Sequence, residues 1–105
     1  MSTTLRRQEM FIGGEWTPGA GSETQEIVNP ATGKVIAHVP KGTDEDVNRA
    51  VAAARKAFDE GWSDTTPRER SERMRKLAEA IEANADELVR IESENVGKPL
   101  AVMKS

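Results

Sequence analysis

Cysteine is absent from the 105 residues, and with it go disulfides, thiolate metal sites and a cysteine nucleophile within this sequence. Tyrosine is absent too, histidine occurs once, and aromatic residues make up only 4%, so large rings can anchor few places. No apolar run approaches the ~20 residues that a membrane helix needs. The opening MSTTLRRQEM lacks the apolar stretch of a secretory leader, which leaves the cytoplasm as the expected compartment. Neither sign of charge dominates at a net −3. Arg68, Arg70, Arg73, Arg75 and Lys76 alternate with Glu69 and Glu72, as on a solvated helix face and unlike a nucleic-acid stripe. Neither nucleic acid nor membrane is an expected partner. Leu, Ile, Val and Phe together fall short of the roughly one-fifth that an ordinary core uses. Alanine fills many of the remaining positions, so helices can form around a thin core.

What is present is organised around residues 66–99, the longest periodic stretch. Thr66 and Glu69 have the spacing of a capping box, and Pro67 suits a first helical position. Met74, Leu77, Ala78, Ile81, Ala85, Leu88 and Ile91 then recur on one helical face. Asn84 and Glu87 repeat the cap spacing inside the run, which predicts a break and two successive helices. Gly97 and Pro99 end the second. Residues 100–105 read as the first turn or two of another helix.

Upstream, residues 1–7 read as a polar, mobile lead-in, and 8–105 as one folded unit. Residues 8–12 and 15–17 predict two short strands around Gly13-Gly14, which tolerate the positive φ of a type I′ turn. Residues 24–28 predict a strand stopped at Asn29-Pro30. Residues 34–39 alternate as a half-buried strand does, with Pro40 as its end. A first helix opens at Thr43 with Asp44, Glu45 and Asp46 in its first turn, where the helix dipole favours negative charge. The fold class is therefore α+β: an N-terminal hairpin and short extended segments followed by three helices.

No local constellation carries chemistry. Gly13-Gly14 and Gly19-Ala20-Gly21 fit neither a dinucleotide fingerprint nor a phosphate loop. His38 stands alone in a strand, with no second ligand at a metal spacing, and reads as a surface or hydrogen-bonded residue. The carboxylates sit at helix starts or on polar faces, where capping explains them. No nucleophile, base and orienting group can be assembled.

The order of motifs says more than any one of them. FIGGEW (residues 11–16), IVNPATGKVIAHVP (27–40), TDEDVNRAVAAARKAFDEGW (43–62) and the stretch from TTPRER to ENVGKP (65–99) follow one another. Together they resemble the N-terminal part of the NAD(P)-dependent aldehyde dehydrogenase superfamily, from Met10 onward. The ESENVGKP ending is most similar to bacterial members acting on aminoaldehydes such as 4-aminobutyraldehyde. The resemblance implies part of a cofactor-domain scaffold within an α/β enzyme that uses NAD or NADP to oxidise an aldehyde to a carboxylic acid. Its usual homo-oligomer is implied as well.

In that family the catalytic cysteine and glutamate and the dinucleotide-binding units follow the GKP motif. The 105 residues are accordingly expected to be an N-terminal portion, incomplete at the C-terminal side and inactive alone. They are expected to bind no NAD or NADP, with the remainder of such a chain as their partner. The resemblance also implies a monovalent cation site, mapped onto a backbone oxygen at Val28, with Ile27 adjacent, and onto the Asn95 side chain. Many relatives have aspartate at the latter position, and an amide lowers the affinity. The rival expectation is a stand-alone interaction module that docks its helical apolar stripe on a partner.

Overall fold

Short strands come first and helices after, in a computed structural model that describes residues 6–103. The order is β1 (Arg6–Arg7), β2 (Met10–Ile12), β3 (Glu15–Thr17), β4 (Thr24–Val28), β5 (Val35–Pro40), α1 (Asp44–Asp59), α2 (Pro67–Ala83), α3 (Ala85–Val96) and α4 (Leu100–Met103). One 3-10 turn, Trp62–Asp64, links α1 to α2. The α+β architecture agrees with the sequence expectation.

β2 and β3 form the expected antiparallel hairpin, with Phe11 opposite Trp16. Gly13 and Gly14 have φ of 62° and 82°, the left-handed pair that a two-residue turn of this hand requires. The Phe11 and Trp16 rings meet edge to face, 4.9 Å between centroids. The first strand is shorter than the predicted 8–12, because Gln8 gives its amide instead to the carbonyl of His38 at 2.9 Å.

β5 is the centre of a second sheet, antiparallel to β4 and parallel to β1. Two corrections follow. Arg6 and Arg7, assigned to a mobile lead-in, pair with Ala37 and His38; residues 1–5 lie outside the described residues. Pro40 does not end the strand at residue 39 but is its last member, opposite Thr24. A proline fits there because a strand terminus can spare its missing N–H. Being flanked on both edges, β5 is half-buried on both faces, where simple alternation had predicted one.

The helices start where the caps said. Thr66 Oγ1 accepts the Glu69 amide at 3.1 Å, and Glu69 returns a carboxylate to the Thr66 amide at 2.9 Å. The break falls at Asn84, but its mechanism differs from the expectation. The Asn84 side chain caps nothing downstream; its Nδ2 donates back to the Ala80 carbonyl at 2.8 Å. Asn84 thus closes α2, and its φ of −114° and ψ of 16° turn the chain into α3.

The predicted apolar stripe exists, yet nothing in the described chain covers it. α2 is exposed along its whole length, and no hydrophobic residue among those described is buried. The molecule is a plate of 47 × 39 × 18 Å. No helix among the described residues is long and apolar enough to cross a membrane.

Candidate functional site

Two places bring distant segments together. The first is the joint between the glycine-rich loop and α1. Thr43 and Asp46 form a capping box: Asp46 Oδ2 accepts the Thr43 amide and hydroxyl, each at 2.9 Å, and Thr43 Oγ1 accepts the Asp46 amide at 3.3 Å. The other carboxylate oxygen, Oδ1, accepts the Ala20 amide at 2.8 Å. Asp46 is the one buried residue among those described, at 3% exposure. These donors, the Thr43 and Ala20 amides foremost, hold its pKa below the ordinary carboxylate value, against a smaller upward push from burial. A carboxylate so held is a standing acceptor and not a proton donor near neutrality. A Cβ at Gly19 would lie 3.3 Å from Asp46 Oδ2, and one at Gly21 would lie 2.9 Å from Thr43 Cγ2. The loop is glycine-bearing because it presses onto the helix start.

The sequence expectation placed Asp46 only in an acidic first turn. The Thr43-x-x-Asp46 spacing was the signal that could have identified the box; the bond to Ala20 leaves no local trace.

The second place holds the candidate cation ligands. The register between β4 and β5 slips at Ile27/Val28, where Ile27 faces Ala37 and Val28 faces Val35. This leaves Ile36 as the extra residue of a bulge, which re-aims the backbone as the strand ends. The following turn is closed by Asn29, whose Oδ1 accepts the Ala31 amide at 2.8 Å and whose carbonyl accepts the Gly33 amide at 2.8 Å. Across from it, α3 ends on Gly97, in the left-handed conformation with φ of 77°. A Cβ there would lie 3.1 Å from Pro30 Cγ, so the helix end abuts the turn. Val28 and Asn95 each stand two residues from this contact, on its two sides. Asn95 Nδ2 donates to the Ile91 carbonyl at 2.8 Å, leaving Oδ1 as the atom a ligand would meet. Neutral amide and carbonyl oxygens suit a weakly held monovalent ion, and two residues alone do not complete a coordination shell. No group of three His, Asp or Glu that could hold a metal occurs among the described residues.

An open groove of about 770 Å³ runs between the hairpin and α1, floored by Ala50, Ala53, Ala54 and Ala57. Gly13 approaches it closely; its Cβ would lie 3.7 Å from that of Ala53. The lining offers no nucleophile and base in partnership. His38 lies mid-sheet, opposite Glu26 on β4 and Arg7 on β1. Three cations of α2 are engaged locally: Arg70 on the Thr65 carbonyl at 2.6 Å, Arg75 on Glu72 at 2.5 Å, and Arg73 over the Trp62 ring at 5.6 Å. That agrees with a solvated face.

Comparison with known proteins matches this arrangement. The model of the aldehyde dehydrogenase family covers residues 16–105. The malonate-semialdehyde dehydrogenase of Bacillus cereus strain B4264 is 41% identical over 100 residues, 95% of this chain and 20% of that protein. The crystal structure of an NAD-dependent aldehyde dehydrogenase from Sinorhizobium meliloti is 41% identical with a TM-score of 0.89, over 95% of this chain and 20% of that one. A Mycobacterium tuberculosis aldehyde dehydrogenase complexed with NAD+ has a TM-score of 0.89 at 33% identity, over 97% of this chain and 22% of that one. The chain thus spans about a fifth of the length of the relatives it matches. With the family model and the backbone superposition in agreement, the chain belongs to the aldehyde dehydrogenase family.

Proposed function

We propose that these residues are the N-terminal scaffold of a cytoplasmic, homo-oligomeric NAD(P)-dependent aldehyde dehydrogenase that oxidises an aldehyde to a carboxylic acid. The observation that carries this reading is the superposition of 95% of the chain on an NAD-dependent aldehyde dehydrogenase at a TM-score of 0.89 and 41% identity. When bound, the nicotinamide cofactor supplies a hydride acceptor. The residues of this chain supply position: the Asp46 joint seats the hairpin on α1, and the Gly97–Pro30 contact seats α3 on the end of β4. No residue here acts on substrate. The chain holds no cysteine nucleophile, and its glycine loops are turns. Val28 and Asn95 would contribute oxygens to a monovalent cation that braces the same contact. The ESENVGKP ending supports an aminoaldehyde substrate, while the Bacillus cereus relatives are named for malonate semialdehyde.

The test is a chimera in which residues 1–105 replace the matching segment of the Bacillus cereus malonate-semialdehyde dehydrogenase. Retained NAD reduction with malonate semialdehyde supports the scaffold role, and a gain on 4-aminobutyraldehyde would support the aminoaldehyde assignment. A folded chimera without aldehyde oxidation would sink the reading. So would a stop codon directly after Ser105, whereas an open frame continuing into a cysteine-bearing region supports it. The 105-residue chain alone should give no heat on calorimetric titration with NAD.

A further inference from the structure

The hairpin meets the start of α1 through a methionine as well as through the loop that Asp46 holds. Met10 opens β2 opposite Thr17 and is half-buried. Its methyl group reaches two glycines distant in the chain. A Cβ at Gly19 would lie 3.2 Å from Met10 Cε, and one at Gly42 would lie 3.8 Å from it. The same point above Gly19 is 3.3 Å from Asp46 Oδ2 and 3.4 Å from Oδ1. A thioether methyl and a buried carboxylate thus converge on one glycine backbone. An unbranched, flexible side chain suits such a gap, and its apolar end asks for no hydrogen bond there. All of these contacts are internal to residues 10–46.

Four amides around this seat are already committed. Gly19 donates to Thr17 Oγ1 at 3.2 Å, Ala20 and Thr43 to Asp46 at 2.8 and 2.9 Å, and Lys41 to the Glu23 carbonyl at 2.9 Å. Oxidation of Met10 to its sulfoxide sets a polar S–O bond, negative at oxygen, beside the Asp46 carboxylate. A buried oxygen of that kind needs a donor. It finds one by taking an amide from Asp46 or by swinging out to water, and either move parts the glycine loop from α1. We propose that Met10 is a peroxide-sensitive latch, which closes the Gly19–Asp46 joint as a thioether and releases residues 18–23 from α1 as a sulfoxide. The oxidant is hydrogen peroxide. Its O–O bond breaks, one oxygen bonds to Met10 Sδ, the sulfur gives up two electrons and the other oxygen leaves as water. Thiol-driven sulfoxide reduction restores the thioether and closes the joint again. Met74, 66% exposed on α2, is an internal control, because it takes no part in the joint. The latch does not rest on the enzymatic reading and is tested without any assay of aldehyde oxidation.

The 105-residue chain is treated stepwise with hydrogen peroxide, sulfoxide at each methionine is read by peptide mass, and amide exchange is followed by NMR. Exchange at Ala20 and Thr43 should rise by roughly tenfold or more, the size of a lost hydrogen bond to a charged acceptor. The rise should track oxidation of Met10 and not that of Met74, which reacts first. Methionine sulfoxide reductase with dithiothreitol should restore slow exchange. Met10→Leu fills the seat without an oxidisable sulfur, so its Ala20 exchange should not respond to peroxide. An Ala20 amide unprotected before treatment overturns the proposal, as does a Met10 that stays a thioether after Met74 is fully oxidised. So does Met10 sulfoxide with Ala20 exchange unchanged, or a Met10→Leu chain that responds to peroxide as the parent does. If Met10→Leu by itself frees Ala20, reversal in the parent decides: recovery under the reductase supports the latch, and none overturns it.

Discussion

Asp46 accepts the amide of Ala20, 26 residues earlier in the chain, at 2.8 Å, through the carboxylate whose other oxygen holds Thr43. One side chain therefore begins α1 and fastens the loop that follows the hairpin. In Asp46→Asn, one oxygen becomes an NH2 group and must face an N–H donor at Ala20 or at Thr43. The expected result is faster amide exchange at Ala20, Thr43 and the hairpin, with α2 unchanged. Equal slowing of exchange in variant and parent would show that the joint does not hold the loop.

The same carboxylate sets an acid limit. Its folded pKa lies below the ordinary 3.8. Its contribution is therefore complete above that value and is lost as pH falls through the lower folded one. Arg49 on the same helix pulls in the same direction as the Thr43 and Ala20 donors. A proton-coupled chemical-shift titration should place the Asp46 midpoint below the ordinary 3.8, and Ala20 exchange should accelerate only across that lower midpoint.

Thr66→Ala removes the acceptor for the Glu69 amide at the start of α2. The cap is worth about 1 kcal/mol. Because the site is exposed, the loss should appear in the urea midpoint without a change in slope, and Thr66→Ser should recover most of it.

Gly97 and Gly14 have similar φ, 77° and 82°, but only Gly97 has a neighbour where a side chain would go. Substituting alanine at either costs about 1 kcal/mol or more for the left-handed backbone alone. Gly97→Ala should cost more than Gly14→Ala, by the push of a Cβ into the Pro30 ring. Equal losses would mean that α3 and the β4 turn can part freely.

What was legible in the sequence was what is local. The Thr66 box and the Gly13-Gly14 turn each bind residues within three positions of one another, and each stands where the residue types placed it. The Asn84 break was visible as an interruption, but not its direction: a side chain that can donate or accept chose the carbonyl behind it. Contacts made across the fold were invisible. Nothing in Arg6-Arg7 announces pairing with β5, and nothing in Ala20 announces Asp46. Val28 and Asn95 are candidate cation ligands on family resemblance alone. The bulge at Ile27/Val28 and the Gly97–Pro30 contact are long-range geometry that periodicity does not encode.

The 18 Å thickness of the plate fixes its calorimetry. The heat capacity of unfolding comes mainly from apolar surface newly wetted, and a domain of this length with an ordinary core would show about 1.4 kcal/mol/K. Here no hydrophobic side chain among the described residues is fully buried, so the chain's own share is smaller. The curvature of stability with temperature, and any cold denaturation, belong to whatever assembly closes over the plate.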